Sequence, residues 1–445
     1  MPAPSRSPLD RQLGMHYYAT EVDGVGGVLR ERADDFRVYE VALGNVVCAP
    51  GCSRQLGGGG GSYVWFLLEK RDVDTVTALR AIARQMGISH KKFSAAGLKD
   101  ARAVTFQLVS VEGVDPSAVP RAVGRKIRIH DVFTMPFKLA AGMLWGNVFE
   151  ITVRRLSVSL SEAERRLRGI LEQLGREGAP NYYGYQRFGT IRPLTHVVGK
   201  LVLQGRFEEA VRELLTRVFP HESERAKEAR RYLASTWDVA GALKLFPTRL
   251  HHERMILHYL SKHPNDYSGA IRTLPLAIRR LFVEAYQAYL FNLALSKRIE
   301  MGLPLSTPVE GDLVMLGGNE RAIVRARSSN IDKLRELVER GAAEVVGNVF
   351  GYASVLSEGL PGLAEGEALR EEGVSLDVFR AKVMPELASR GTVRPLSLKP
   401  SQLEWRLLDE GGPCVTLRFA LRRGSYATVL LREIVKPEDP AAQGF

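Results

Sequence analysis

The chain has 445 residues, 45% of them hydrophobic, which is more than one compact core can use and predicts two or three domains, with general disorder excluded. Lys and Arg number 62 against 50 Asp and Glu, and the formal charge of +12 favours a polyanionic partner such as RNA. Three cysteines, Cys48, Cys52 and Cys414, cannot build a disulfide framework or a four-thiolate zinc site.

Met1 to Leu13 is rich in Pro, Ser and Arg without an apolar signal core, and no run approaches the ~18 apolar residues of a membrane span. A soluble, intracellular protein without membrane contact is expected. Strands are predicted at 27–31, 36–41 and 62–69 from their apolar and β-branched content. Cys48 and Cys52 bracket a loop before the third, where a loop disulfide or a two-thiol metal site completed by distant histidines could form. The glycine tract 57–61 lacks the Lys-Ser/Thr of a phosphate loop and precedes a strand, so it reads as a hairpin tip.

Val73, Val76, Leu79, Ile82, Ala83 and Met86 recur at helical spacing and predict an amphipathic helix against the sheet. Strands at 103–111, 126–132 and 147–154 and a charged helix at 162–177 continue an α+β pattern. From about 201 to 300 the chain turns helical, with helices expected at 207–218, 221–236, 251–262 and 276–300. Short strands and a helix at 328–340 follow, and the strand 414–421 and helix 425–436 return to the mixed character. His251 and His252 are adjacent on one helix and point to different faces, so no metal site is read there.

Three blocks carry chemistry. Gly97-Leu98-Lys99-Asp100 places a carboxylate at a glycine turn before a strand, where Gly97 can adopt backbone angles closed to other residues and aim Asp100 into a cleft. Read by itself, such a Lys-Asp turn is more often solvated than catalytic. Asn181-Tyr182-Tyr183-Gly184-Tyr185-Gln186-Arg187-Phe188-Gly189 mixes aromatics, amides, an arginine and glycines as no ordinary core segment requires. Asp34-Asp35-Phe36-Arg37-Val38-Tyr39-Glu40 is the third.

In this order, and followed by Gly146–Ile151, Ala285–Asn292, Gly311–Val314, Gly424–Thr428 and Arg432-Glu433, the blocks resemble the TruD family of tRNA pseudouridine synthases. The resemblance implies an α+β fold: a mixed-sheet catalytic domain, split in sequence by an inserted, mainly helical α+β TRUD domain. On that scheme residues 14–205 and 363–445 form the catalytic domain and 206–362 the insertion. The implied activity is isomerisation of a tRNA D-arm uridine, uridine 13 in the family, to pseudouridine, without cofactor or metal. A monomer acting on tRNA in the cytoplasm is expected, with no protein partner; the alternative is a non-catalytic RNA-binding protein of the same fold.

By resemblance Asp100 is the catalytic carboxylate, acting on the ribose anomeric carbon, on the uracil ring, or on a ribose proton. The family's basic partner falls on Arg30, where many members carry lysine; an arginine could bind both carboxylate oxygens. Tyr426 takes the place of an active-site aromatic that is often Phe, a face on which an extruded base could stack. Asn181 and Phe188 match residues expected to hydrogen-bond near Asp100 and to shape the pocket wall. Gln186, Arg187 and Lys99 are candidates for phosphate or sugar contacts, and Arg187 suits bidentate phosphate binding best. Glu40 matches a family acidic position and reads as a structural partner for a neighbouring arginine. Basic clusters at Arg154-Arg155, Arg165-Arg166-Arg168, Arg279-Arg280 and Lys91-Lys92 are candidates for RNA backbone contacts.

Overall fold

The computed structural model describes residues 3–42, 44–57, 59–99, 101–317 and 322–445. Its main sheet is built from β1 (Phe36–Ala42), β2 (Tyr63–Arg71), β3 (Val104–Glu112), β4 (Ala122–Val123), β5 (Ile127–Met135) and β6 (Leu144–Val153). A second sheet follows, made of β7 (Leu313–Leu316), β8 (Ile323–Arg325), β9 (Ala343–Val349) and β10 (Thr392–Pro395). The chain then returns to the first sheet with β11 (Ser401–Asp409) and β12 (Pro413–Arg422). The strand order is β11-β12-β6-β1-β3-β2-β5-β4, and short strands at Val46–Val47 and Phe93–Ala95 complete ten. Among the described pairings of this sheet only β1 with β3 is parallel, so the sheet is mixed.

The helices are α1 (Thr75–Gln85), α2 (Leu160–Glu177), α3 (Thr195–Leu203), α4 (Leu276–Glu300), α5 (Gly359–Glu371) and α6 (Ala427–Val435), with shorter ones between α3 and α4. Asp74 caps α1 by accepting from Thr77 N at 2.9 Å, and Ala78, Ile82 and Ala83 bury against Val64, Phe66, Leu68, Val109 and Val111. On the same sheet face, α2 and α6 cover Phe36, Val38, Phe149, Ile151, Leu417 and Phe419. Burial of such side chains at ~25 cal/mol per Å² is the main force holding each helix to the sheet. The helical layer has a core of its own, centred on α3 and α4 through Val198, Leu201, Val202, Phe282, Tyr286 and Leu290.

A strand at 27–31 does not form: Gly26, Gly27 and Arg30 have φ of 67°, 107° and 55°, leaving a single bridge from Val28 to Arg154. α5 was not legible because Pro361, Gly362 and Gly366 lie within it. It packs on α4, β10 joins the second sheet, and the chain regains the main sheet at Ser401. α3 likewise lies against α4. Cys48 and Cys52 are buried free thiols, Cys48 Sγ donating to Val46 O at 3.9 Å and Cys52 Sγ to Asp131 Oδ2 at 3.8 Å, and no disulfide joins them. No helix among the described residues is long and apolar enough to cross a membrane.

Candidate active site

The parallel pairing of β1 with β3 puts the segments that lead into both strands at one end of the sheet: Arg30 before Phe36, and the 97–103 loop before Val104. The pairing is brief. β1 follows β3 only from Arg37↔Val104 to Tyr39↔Phe106, and Phe93–Ala95 takes over the same edge from Val109 onward. Between the two partners the ladder is open, and the Leu108 N–H is satisfied instead by Glu40 Oε2 at 3.0 Å. Register places Glu40, Lys70, Thr105, Gln107 and Asn147 on the face that α1, α2 and α6 cover elsewhere. A polar floor therefore sits between two apolar patches.

The loop that leads to Asp100 is clamped onto this floor. Gln107 Nε2 donates to Gly97 O at 3.1 Å, Lys99 N donates to Thr75 Oγ1 at 2.9 Å, and Lys70 Nζ donates to Lys99 O at 3.2 Å. Thr75 Oγ1 in turn donates to Gln107 Oε1 at 2.8 Å. Lys99 Nζ pairs with Glu40 Oε1 at 2.9 Å, both side chains nearly buried. Burial pushes the Glu40 carboxyl above its ordinary range, against the opposing pull of Lys99 and the Leu108 N–H. Asp100 itself lies outside the described residues. Gly97 is not left-handed; a Cβ there would sit 3.2 Å from Leu144 Cδ2 and 3.3 Å from Lys99 Nζ, so a larger residue would have to push two side-chain ends aside by a few tenths of an ångström.

Arg30 is half-buried, its guanidinium 4.1 Å over the Phe36 ring, and its Nη1 donates to Gly444 O. Its backbone is left-handed, with φ of 55°, just after Val28 N bonds Arg154 O and Leu29 N bonds Gln443 O.

A second wall is tied together by Arg394, on β10. It donates to Asn181 O at 2.9 Å, Asn181 Oδ1 at 2.7 Å and Gly424 O at 2.7 Å, and lies 4.3 Å over the Tyr183 ring and 5.7 Å over Tyr426. Burial lowers its pKa from the ordinary arginine value. Asn181 also donates from Nδ2 to Pro395 O at 2.8 Å, so its amide holds the wall together. Tyr183 and Tyr426 meet edge to face with centroids 6.2 Å apart, and Asn292 of α4 clamps the Tyr183 backbone at N and O. Tyr426 stands at the N-cap of α6, half-buried.

The remaining expected residues divide. Gln186 Oε1 accepts from Thr428 Oγ1 at 3.1 Å beside Tyr426. Arg187 stacks on Tyr183 at 5.4 Å, and its Nη1 pairs with Glu284 at 2.9 Å, which takes up one arm of the fork expected to meet phosphate. Phe188 is fully buried, edge-on to His196, and the aromatic of its block that faces Tyr426 is Tyr183. Glu40 pairs with a lysine, not an arginine. Arg432, in the last matched block, is wholly buried on Asp10 at 2.6 Å, joining the two chain ends.

Leu144, beside Gly97, shares with Asn181, Arg394, Gly424 and Ser425 a cleft of about 730 Å³ that runs between the two sheets. Lys399, Arg422 and Arg423 line it, Arg422 beside Glu344 at 3.5 Å. The clusters expected to meet RNA are mostly neutralised inside the protein: Arg154 by Asp35 and Glu410, Arg155 by Glu31, Arg165 and Arg166 by Glu162, Arg168 by Glu164, Arg279 by Glu386. Lys91 and Lys92 are exposed.

A mixed α+β sheet with a loop clamped onto a polar floor, and an aromatic pair against the wall that Arg394 ties together, fits the pseudouridine-synthase class. The model of the family tRNA pseudouridine synthase D (TruD) matches residues 12–434. A tRNA pseudouridine synthase D from Methanosarcina mazei is 36% identical over 96% of this chain and 97% of the relative, and one from Methanopyrus kandleri 44% identical over 86% and 87%. The crystal structure of a TruD from Methanosarcina mazei superposes with a TM-score of 0.83 at 35% identity, covering 100% of both chains. The chain belongs to the tRNA pseudouridine synthase D family.

Proposed function

We propose that this protein converts a uridine of tRNA to pseudouridine with Asp100 as the catalytic carboxylate. The observation that carries the reading is the clamped backbone of Gly97 to Lys99, held by Gln107, Thr75 and Lys70 at the edge of a basic cleft directly before Asp100. Anchoring the backbone that leads into a catalytic residue is the kind of support that precise positioning of a nucleophile calls for.

In the reaction the N1–C1′ bond breaks, a C5–C1′ bond forms, the C5 proton leaves and N1 gains a proton. Substrate and product are isomers, so electrons balance without a redox partner. The carboxylate serves as nucleophile at C1′ or the ring, or removes a ribose proton. Arg30, at the same end of the sheet, is its cationic partner, and Tyr426 with Tyr183 offers a face for the detached uracil while it turns. Lys399 and Arg423 contact the RNA backbone as it enters the cleft. The target is a D-arm uridine, uridine 13, and the protein acts as a monomer in the cytoplasm.

The test is incubation of tRNA transcripts with the purified protein, followed by mapping of pseudouridine at nucleotide resolution. Pseudouridine at position 13 supports the reading, at another position it corrects the site alone, and none in any tRNA refutes it.

A further inference from the structure

We infer that α1, the turn His90–Lys92 and the hairpin joining β4 to β5 form a second RNA-binding surface outside the cleft, one that holds tRNA backbone beyond the stem–loop carrying the target uridine. The inference deepens the proposed function and rests on tRNA being the substrate.

Charge is concentrated in this part of the chain. Residues 80–128 contain ten Lys and Arg against three Asp and Glu, a surplus of seven in a chain whose net charge is +12. Of those acids, Asp115 is engaged in capping the next turn, accepting from Ser117 N at 2.8 Å, and Glu112 at the end of β3 is exposed without an ion pair among the described residues. The contrast with α2 is direct. On α2 every arginine is answered by a glutamate of the same helix. α1 carries Arg80 and Arg84, both exposed, and no acid between Thr75 and Gln85. Like charges four residues apart destabilise a helix, so an anion from outside would relieve the pair. Neither guanidinium meets a carboxylate among the described residues, and the same holds for the exposed Lys91, Lys92, Arg121 and Arg125.

These groups adjoin one another. α1 packs against both the 90–92 turn and β4, and β4, at the outer edge of the main sheet, is flanked by Arg121 and Arg125. α1 also ties the surface to the candidate site: its first residue, Thr75, accepts from Lys99 N, and eleven residues carry the helix about 16 Å away from that loop. From Lys92 the chain reaches Gly97 in five residues, a span of at most about 18 Å. An RNA seated at the loop carries a charge on every nucleotide and has further phosphates within this distance. α1 and Lys91-Lys92 offer cations and no aromatic face, which suits phosphates and not bases, so the contacts position the RNA without reading its sequence.

The experiment is filter binding and single-turnover pseudouridine formation on a full-length tRNA transcript and on the isolated stem–loop that holds the modified uridine. Wild type should bind the full-length tRNA at least about tenfold more tightly than the stem–loop. Combining Arg80→Gln, Arg84→Gln, Lys91→Gln and Lys92→Gln should weaken full-length binding about tenfold, lower its salt slope by about one, leave stem–loop affinity within about twofold, and keep the rate at saturating RNA. The arginine pair alone and the lysine pair alone should each lose about threefold. Arg165→Gln with Arg168→Gln, which removes charge from α2, should stay within about twofold of wild type. Equal binding of both RNAs by wild type, unchanged tRNA affinity in the combined variant, or an equal loss in the α2 control would each overturn the inference. If wild type forms no pseudouridine in either RNA the proposed function falls, while the affinities still decide this surface.

Discussion

Replacing Arg394 by methionine should do more damage than replacing any basic residue on the cleft surface. The side chain is 8% exposed, and its three short bonds reach Asn181 O, Asn181 Oδ1 and Gly424 O. A hydrogen bond to a charged group contributes ~1.5–3 kcal/mol, which would sum to roughly 4.5–9 kcal/mol if the three were independent. They share one guanidinium, and Asn181 and Gly424 both border the cleft, so water can reach the abandoned acceptors. We therefore expect less than that sum, about 3 kcal/mol, the lower end of what breaking a buried charged network costs. The functional loss should exceed the stability loss, because Arg394 also supports the rings of Tyr183 and Tyr426. Arg394→Lys, which has one reach where arginine has a fork, should fall between. Urea unfolding and single-turnover pseudouridine formation, measured below the unfolding range, separate the two effects. Arg394→Met with wild-type stability and turnover would refute the idea that this residue holds the second wall.

Three further outcomes can be checked. Tyr426→Phe should keep most activity, since the ring face remains, whereas Tyr426→Ala should lose on the order of ten- to a hundredfold in kcat/KM on tRNA, stacking of one base being worth about 1–3 kcal/mol; equal impairment of both would make the hydroxyl essential. Because most surface arginines are paired internally, the slope of log affinity against log salt should be modest, about −3 for three or four phosphate contacts, and Arg423→Ala should reduce it by about one; a slope near zero in filter binding would contradict an RNA footprint in the cleft. His196 is stacked on Tyr289 with its pKa lowered by burial to about 3, so protonation favours the unfolded chain, and stability present above the unfolded value of 6.5 is lost as pH falls below it. From pH 7 to pH 5 this should cost about 2 kcal/mol in urea titrations, and His196→Phe should flatten that decline; an unchanged slope would count against it.

Much of the fold was legible because apolar strand runs and amphipathic helices announce themselves locally. β3, α2 and α4 fall where Val104 to Val111, the 162–177 pattern and the 276–300 pattern predict them. The candidate site was legible only where residues cluster in a block, as in 97–100 and 181–189. Arg394 was missed because nothing in Thr392-Val393-Arg394-Pro395 distinguishes it; its importance comes from meeting residues 213 and 30 positions away. Lys70 was missed for a different reason. It continues the face of Phe66 and Leu68, but Trp65 and Leu67 are buried on the other face as well, so alternation along β2 does not say which way the lysine points. Phe188 and Tyr183 belong to one block with similar side chains, and only the turn geometry decides which enters the core.

The most direct test of the account is Asp100→Asn assayed beside wild type on a tRNA transcript, with pseudouridine and RNA affinity measured on the same preparations. The amide keeps the size of the side chain and removes its charge, so pseudouridine should vanish while affinity stays within about twofold, the phosphate contacts being elsewhere. Turnover by the Asn variant above a trace would contradict the central claim.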